Sequence, residues 1–190
     1  MIVQSKHIYD ELTTRAAEIV VGELGYPNYV FRHQYKFVLF AEYSVATSSD
    51  VVAELAECCN DDHVYFVYLK PRPEEFWFPQ YGHFGAIKLH RSDIRNCWRS
   101  ELTKPFGSKN VTMYGFDGHS MMFGESRSWC VFHDYGYDLS VIVSNYDLRT
   151  SKIRTIQNFV HDVEWATSYW KTSGSPMSDD FYSDLQKNYV

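Results

Sequence analysis

The chain has 190 residues and carries 18 Lys and Arg against 24 Asp and Glu, a formal net charge of −6 at pH 7. Such a surface repels a phosphate backbone, which disfavours nucleic-acid binding. No apolar run approaches the roughly 18 residues of a membrane span. The length suits one domain, and the 15 Tyr, 13 Phe and 5 Trp are enough to furnish both a core and a contact surface. Met1-Ile-Val-Gln-Ser-Lys-His7 lacks the charged flank and apolar stretch of a signal peptide, so a soluble, cytoplasmic protein is expected. Cys58, Cys59, Cys97 and Cys130 form no CxxC pair and are expected to be reduced and mostly buried.

From the N-terminus, Ile8, Leu12, Ala16, Ile19 and Val20 recur at spacings of three and four, which predicts a helix over 5–23 stopped by Gly22 and Gly25. Tyr35 to Tyr43 is apolar on both alternating faces at its centre, as a covered strand requires, and Val64 to Leu69 looks alike. Between them, Ser48 or Ser49 should cap a helix running to about Asn60, with Asp50 favoured in its first turn by the helix dipole. A strand over 86–89 and a helix from Ser92 through Leu102 follow. Strands are then predicted over 111–116, 119–123, 128–133 and 137–144, with Asp117-Gly118 as a tight hairpin and Gly136 marking another turn. Ile153, Ile156, Val160, Val163 and Trp170 predict a long amphipathic helix over 151–170. The expected fold is therefore α+β: one domain over 1–170, an antiparallel sheet of about five to seven strands packed against several amphipathic helices. Residues 171–190 read as a linker and a tail that docks as a short helix.

Two surfaces stand out. Phe37 to Leu69 contains no Lys or Arg but holds Glu42, Asp50, Glu54, Glu57, Asp61 and Asp62. At 100° per residue, Asp50, Glu54, Glu57 and Asp61 cluster within about 60° on a helix, opposite Val51, Val52, Leu55 and Cys59. Like charges at this spacing disfavour a helix by roughly 0.2 to 0.5 kcal/mol per pair unless cations approach from the fold or from a partner. Arg91, Arg95 and Arg99, with Lys88 and Lys104, form the one basic patch available to answer it. The second surface is Glu74 to Phe84, in which Phe76, Trp77, Phe78, Tyr81 and Phe84 surround Pro79 and Gly82. Aromatic anchors of this kind either pack inward or grip a partner.

Catalytic patterns give little. His133-Asp134 and His161-Asp162 resemble a dipeptide of metal-dependent phosphohydrolases, yet no histidine elsewhere has supporting spacing, and no metal site is expected. Cys130 with His133 or His119 is the best thiol and base pair on offer, and Glu42, Asp134, Asp138 and Asp147 are the only obvious carboxylate pairs. No GxGxxG, Walker loop, GxSxG or HExxH occurs, so no cofactor is expected.

The segment from Val111 to Ser144, with Tyr114-Gly115, Arg127-Ser128-Trp129 and Asp134 through Val143, resembles the immunity proteins of bacterial polymorphic-toxin systems. That resemblance implies a bacterial, non-enzymatic module that binds and neutralises a cognate toxin, and it transfers no residue-level site. The partner-binding residues expected from the acidic and aromatic patterns are Asp50, Glu54, Glu57, Asp61, Phe76, Trp77 and Tyr81, facing a basic protein domain. Two other readings remain open: a small enzyme or ligand-binding domain with a pocket near His133, Asp134 and Cys130, and a structural subunit of a larger assembly.

Overall fold

Strands with apolar residues at both odd and even positions need a cover on both faces, and this requirement sets the architecture. The computed structural model describes residues 1–21, 25–107, 110–148, 161–172 and 177–189. Six antiparallel strands form one sheet: β1 (Phe37–Glu42), β2 (His63–Lys70), β3 (Ala86–His90), β4 (His119–Gly124), β5 (Trp129–Asp134) and β6 (Leu139–Ser144), in the spatial order β1-β6-β5-β4-β2-β3. The helices among the described residues are α1 (Lys6–Ile19), α2 (Tyr43–Ala46), α3 (Ser49–Cys58), α4 (Trp77–Tyr81), α5 (Ile94–Leu102), α6 (Val163–Thr172) and α7 (Asp179–Tyr189). The fold is α+β, and none of these helices is long and apolar enough to cross a membrane.

Alternation sorts the core into two clusters. On β2, Tyr65 and Val67 join α1, α6 and α7 through Leu12, Ala16, Trp170, Tyr182 and Leu185. Phe66 and Tyr68 join α3, α4 and α5 through Leu55, Trp77, Trp98 and Leu102 on the opposite face. Period two thus turns one uninterrupted apolar run into two buried faces. All four cysteines are free, with Cys59 and Cys130 buried and Cys58 and Cys97 half-buried.

Several boundaries differ from the sequence reading, each for a local reason. The first helix stops at Ile19, because Val20 is extended and bridges Phe31. Ser48 caps α3 as expected, its Oγ accepting from the Val51 amide at 3.3 Å. In front of α5, Ser92 lies within a 3₁₀ turn, Arg91–Asp93, and its amide donates to His90 Nδ1 at 3.2 Å. Residues 111–116 are not a strand. Both sides of β2 are already taken, by β3 and β4, so this segment satisfies its backbone elsewhere: the Tyr114 amide donates to Leu102, and Tyr68 Oη donates to the carbonyl of Met113 at 2.6 Å. Asp117-Gly118 is correspondingly no hairpin. Gly118 instead passes the end of β2 so closely that an added Cβ would lie 1.9 Å from the Lys70 carbonyl oxygen.

Near the C-terminus, the predicted helix over 151–170 does not run unbroken. Residues 151–160 lie outside the described residues, His161 pairs with Phe40 in a β-bridge, and Asp162 Oδ1 accepts the Trp165 amide at 2.9 Å to start α6. The tail does dock as a helix. Tyr182, Leu185 and Tyr189 of α7 are buried against Phe40, Tyr26 and Trp170.

Candidate functional site

The acidic surface is built on α3, whose apolar side is fixed by the burial of Val51, Val52, Leu55 and Ala56. That leaves Asp50 and Glu57 exposed on its outer side and Glu54 half-buried between them. Arg95 from α5 lies across the pair, its Nη1 2.8 Å from Asp50 Oδ1 and its Nη2 3.2 Å from Glu57 Oε1. The one guanidinium thus bridges carboxylates two turns apart and relieves their repulsion. Beyond the helix, Arg91 reaches Asp62 Oδ1 at 3.3 Å and Asn60 Oδ1 at 3.1 Å. The answering cations therefore come from within the fold, but the two arginines Arg91 and Arg95 do not cancel the three acids they meet, Asp50, Glu57 and Asp62. The face keeps a surplus of acid in a fixed arrangement.

Asp61 is not part of that face. It is only 2% exposed, and it accepts the Trp129 indole N–H at 2.8 Å and the Ser126 amide. An ideal helix would have aligned it with Asp50, but α3 ends at Cys58 and Asn60 takes positive φ, turning the chain inward. The carboxylate ties the β4–β5 turn to the end of α3.

The aromatic segment is also divided by burial. Trp77 is fully buried among Tyr68, Phe76 and Phe116, with ring centroids at 5.0, 5.5 and 4.7 Å. It is a core residue and offers nothing to a partner. Phe76 and Tyr81 are half-buried beside it, so each keeps an outer edge. The exposed ring is Phe78, at 44%, stacked on Phe84 at 4.4 Å, which in turn stacks on Tyr9 at 4.6 Å. Gly82, in the left-handed conformation, ends α4 and allows this reversal.

Behind Trp77 lies His83, 1% exposed, whose Nδ1 accepts the Gly85 amide at 3.0 Å. Its proton therefore sits on Nε2, which, like the indole N–H of Trp77, has no hydrogen-bond partner among the described residues. Burial pulls the His83 pKa down to about 4, with Lys104 adding to the effect.

The residues of the pocket reading do not converge. Cys130 is fully buried on the α1, α6 and α7 side, where burial pushes its thiol well above the ordinary range. His133 faces the other way and stacks on Tyr43 at 3.8 Å, with Nδ1 3.2 Å from both the Leu139 carbonyl and Ser140 Oγ. Burial lowers its pKa to about 3 against the opposing pull of the Leu139 carbonyl and Asp134. The pair that the sheet does assemble is His119 and Asp134, cross-strand partners on β4 and β5 with Nε2 and Oδ2 3.1 Å apart. Gly25 covers them, since an added Cβ would sit 3.1 Å from Asp134 Oδ2. Only the hairpin register brings these two together, and counting back from Phe123 opposite Cys130 would have found them. Among the described residues, no group of three or more His, Cys, Asp or Glu is placed to hold a metal ion. Comparison with family models, with curated proteins and with solved structures finds no match to this chain.

Proposed function

We propose that this protein is a non-enzymatic binding module that presents the outer face of α3 to a basic partner protein, and that it acts as an immunity protein by occupying a toxin domain. The observation that carries this reading is the acid surplus on α3, held in fixed geometry by Arg95. Carboxylates already ordered by an internal cation lose less freedom on binding, and their field accelerates encounter with a cationic surface. Of the 74–84 segment, Phe78 is the exposed ring left for a partner contact, because Trp77 is spent on the core.

The test is recovery of partners from the native lysate on tagged protein at low and high salt, followed by charge reversal. A basic partner released by salt, and bound more slowly by the Asp50→Lys, Glu57→Lys double variant, supports the reading. Equal binding by that variant refutes the surface. Phe78→Ala should weaken an anchored complex by about 2 kcal/mol or more, measured by calorimetry. Trp77→Ala, by contrast, reports on folding.

A further inference from the structure

The outer edge of β1 carries a second surface. β1 bonds β6 on its inner side, and on its outer side Phe40 exchanges backbone hydrogen bonds with His161 at 2.7 and 2.8 Å. Those bonds fix the direction of the strand's polar groups. Because the amide and carbonyl of Phe40 point outward, the two-residue period turns those of Val38 outward too, and those of Phe37 and Leu39 inward to β6. His161 is followed at once by the Asp162 cap and α6, so the chain leaves the edge before it reaches Val38. Val38 thus presents one donor and one acceptor to a groove of about 710 Å³, whose walls include Tyr35, Lys36, Glu164, Lys187 and Tyr189. A strand edge left open in this way is a template for another extended chain.

Charge identifies what kind of chain. Lys36 and Lys187 are exposed, and neither makes an ion pair among the described residues. Asp162 and Glu164 also line the groove, but they stand at the start of α6, where Asp162 Oδ1 is engaged by the Trp165 amide and the helix dipole offsets about half a unit of their negative charge. The two ammonium groups thus stand beside an open edge without an ion-pair partner among the described residues, on a chain whose net charge is −6. We propose that this groove is a strand-addition site for an extended acidic segment of a partner protein, whose main chain pairs with Val38 while its carboxylates meet Lys36 and Lys187.

The probe is a labelled peptide of alternating Val and Glu, blocked at both ends, with its Val and Lys counterpart as control. Fluorescence anisotropy should show binding of the Glu peptide alone, and exchange of the Val38 amide should slow on binding. Lys36→Glu combined with Lys187→Glu should weaken binding about tenfold or more. Val38→Pro removes the outward N–H without touching a bond to β6 and should weaken it as well. Should that variant misfold, a peptide N-methylated at alternate residues tests the same pairing on the unaltered protein, and it should not bind. Failure of the Glu peptide to bind, indifference to the lysine reversals, or equal binding of the N-methylated peptide would each overturn the proposal. So would a concentration-dependent dimer lost in Val38→Pro, which would mean that the edge pairs with a second copy. Asp50→Lys with Glu57→Lys should leave the peptide affinity unchanged, so this surface and the α3 face stand or fall separately.

Discussion

Removing the carboxylate of Asp61 strands two donors at once, the indole N–H of Trp129 and the amide of Ser126, in a place that water does not reach. Asp61→Ala should therefore lower stability by about 1 to 3 kcal/mol, read from urea unfolding, with Asp61→Asn intermediate because one acceptor remains. The buried imidazoles set a pH dependence. His83 and His133 have folded pKa values of about 4 and about 3, below the ordinary 6.5, so the unfolded chain binds more protons through that interval. Their contribution is complete above about 6.5 and is lost as the pH falls through the window, by at most about 1.4 kcal/mol per pH unit for each residue. Urea titrations from neutral pH to about 5 should show the decline, and His83→Gln with His133→Gln should flatten it. These roles were hardly legible in the sequence. The acids of 50–62 form one continuous pattern, and nothing in it marks Asp61 as the member that turns inward where Asn60 takes positive φ. Trp77 and Phe78 are likewise adjacent and similar, yet the path of α4 buries one and exposes the other.

Among the elements, α7 binds the end of the chain to the sheet. Leu185 is fully buried between α7 and the α1 side of the core, and Leu185→Ala should cost about 2 to 5 kcal/mol, measured by thermal or urea denaturation. The α3–α5 pair behaves oppositely. Arg95 and its two carboxylate partners are each about half exposed, so Arg95→Ala should change stability by no more than about 1 kcal/mol. The same variant leaves α3 more acidic and should quicken its association with a basic partner at low salt, a change that stopped-flow mixing would detect. Elements with strong periodicity were legible: α1, α3, α5 and the strands β1, β2, β5 and β6 fall close to their expected positions. The failure at 111–116 has a different origin. Val, Tyr and Phe there satisfy a strand pattern, but β2, against which the segment lies, already pairs with β3 and β4 on its two sides, and that is a property of the whole sheet.

At the level of the whole molecule, the antiparallel meander β4-β5-β6 lies between β2 and β1, so the first strand closes the sheet against the last one. Strand propensity gives the number of strands within its expected range but not this order, because pairing partners far apart in the chain leave no local signal. The order has a consequence for synthesis. β1 emerges from the ribosome early, with Leu39, Phe40 and Ala41 destined to be buried, and its strand partner Leu139–Ser144 follows about a hundred residues later. Throughout that interval the nascent chain carries an apolar segment with no strand to pair with. An N-terminal half released by truncation or stalling would expose it, and would be a substrate for holdase chaperones and proteases instead of a folded half-domain.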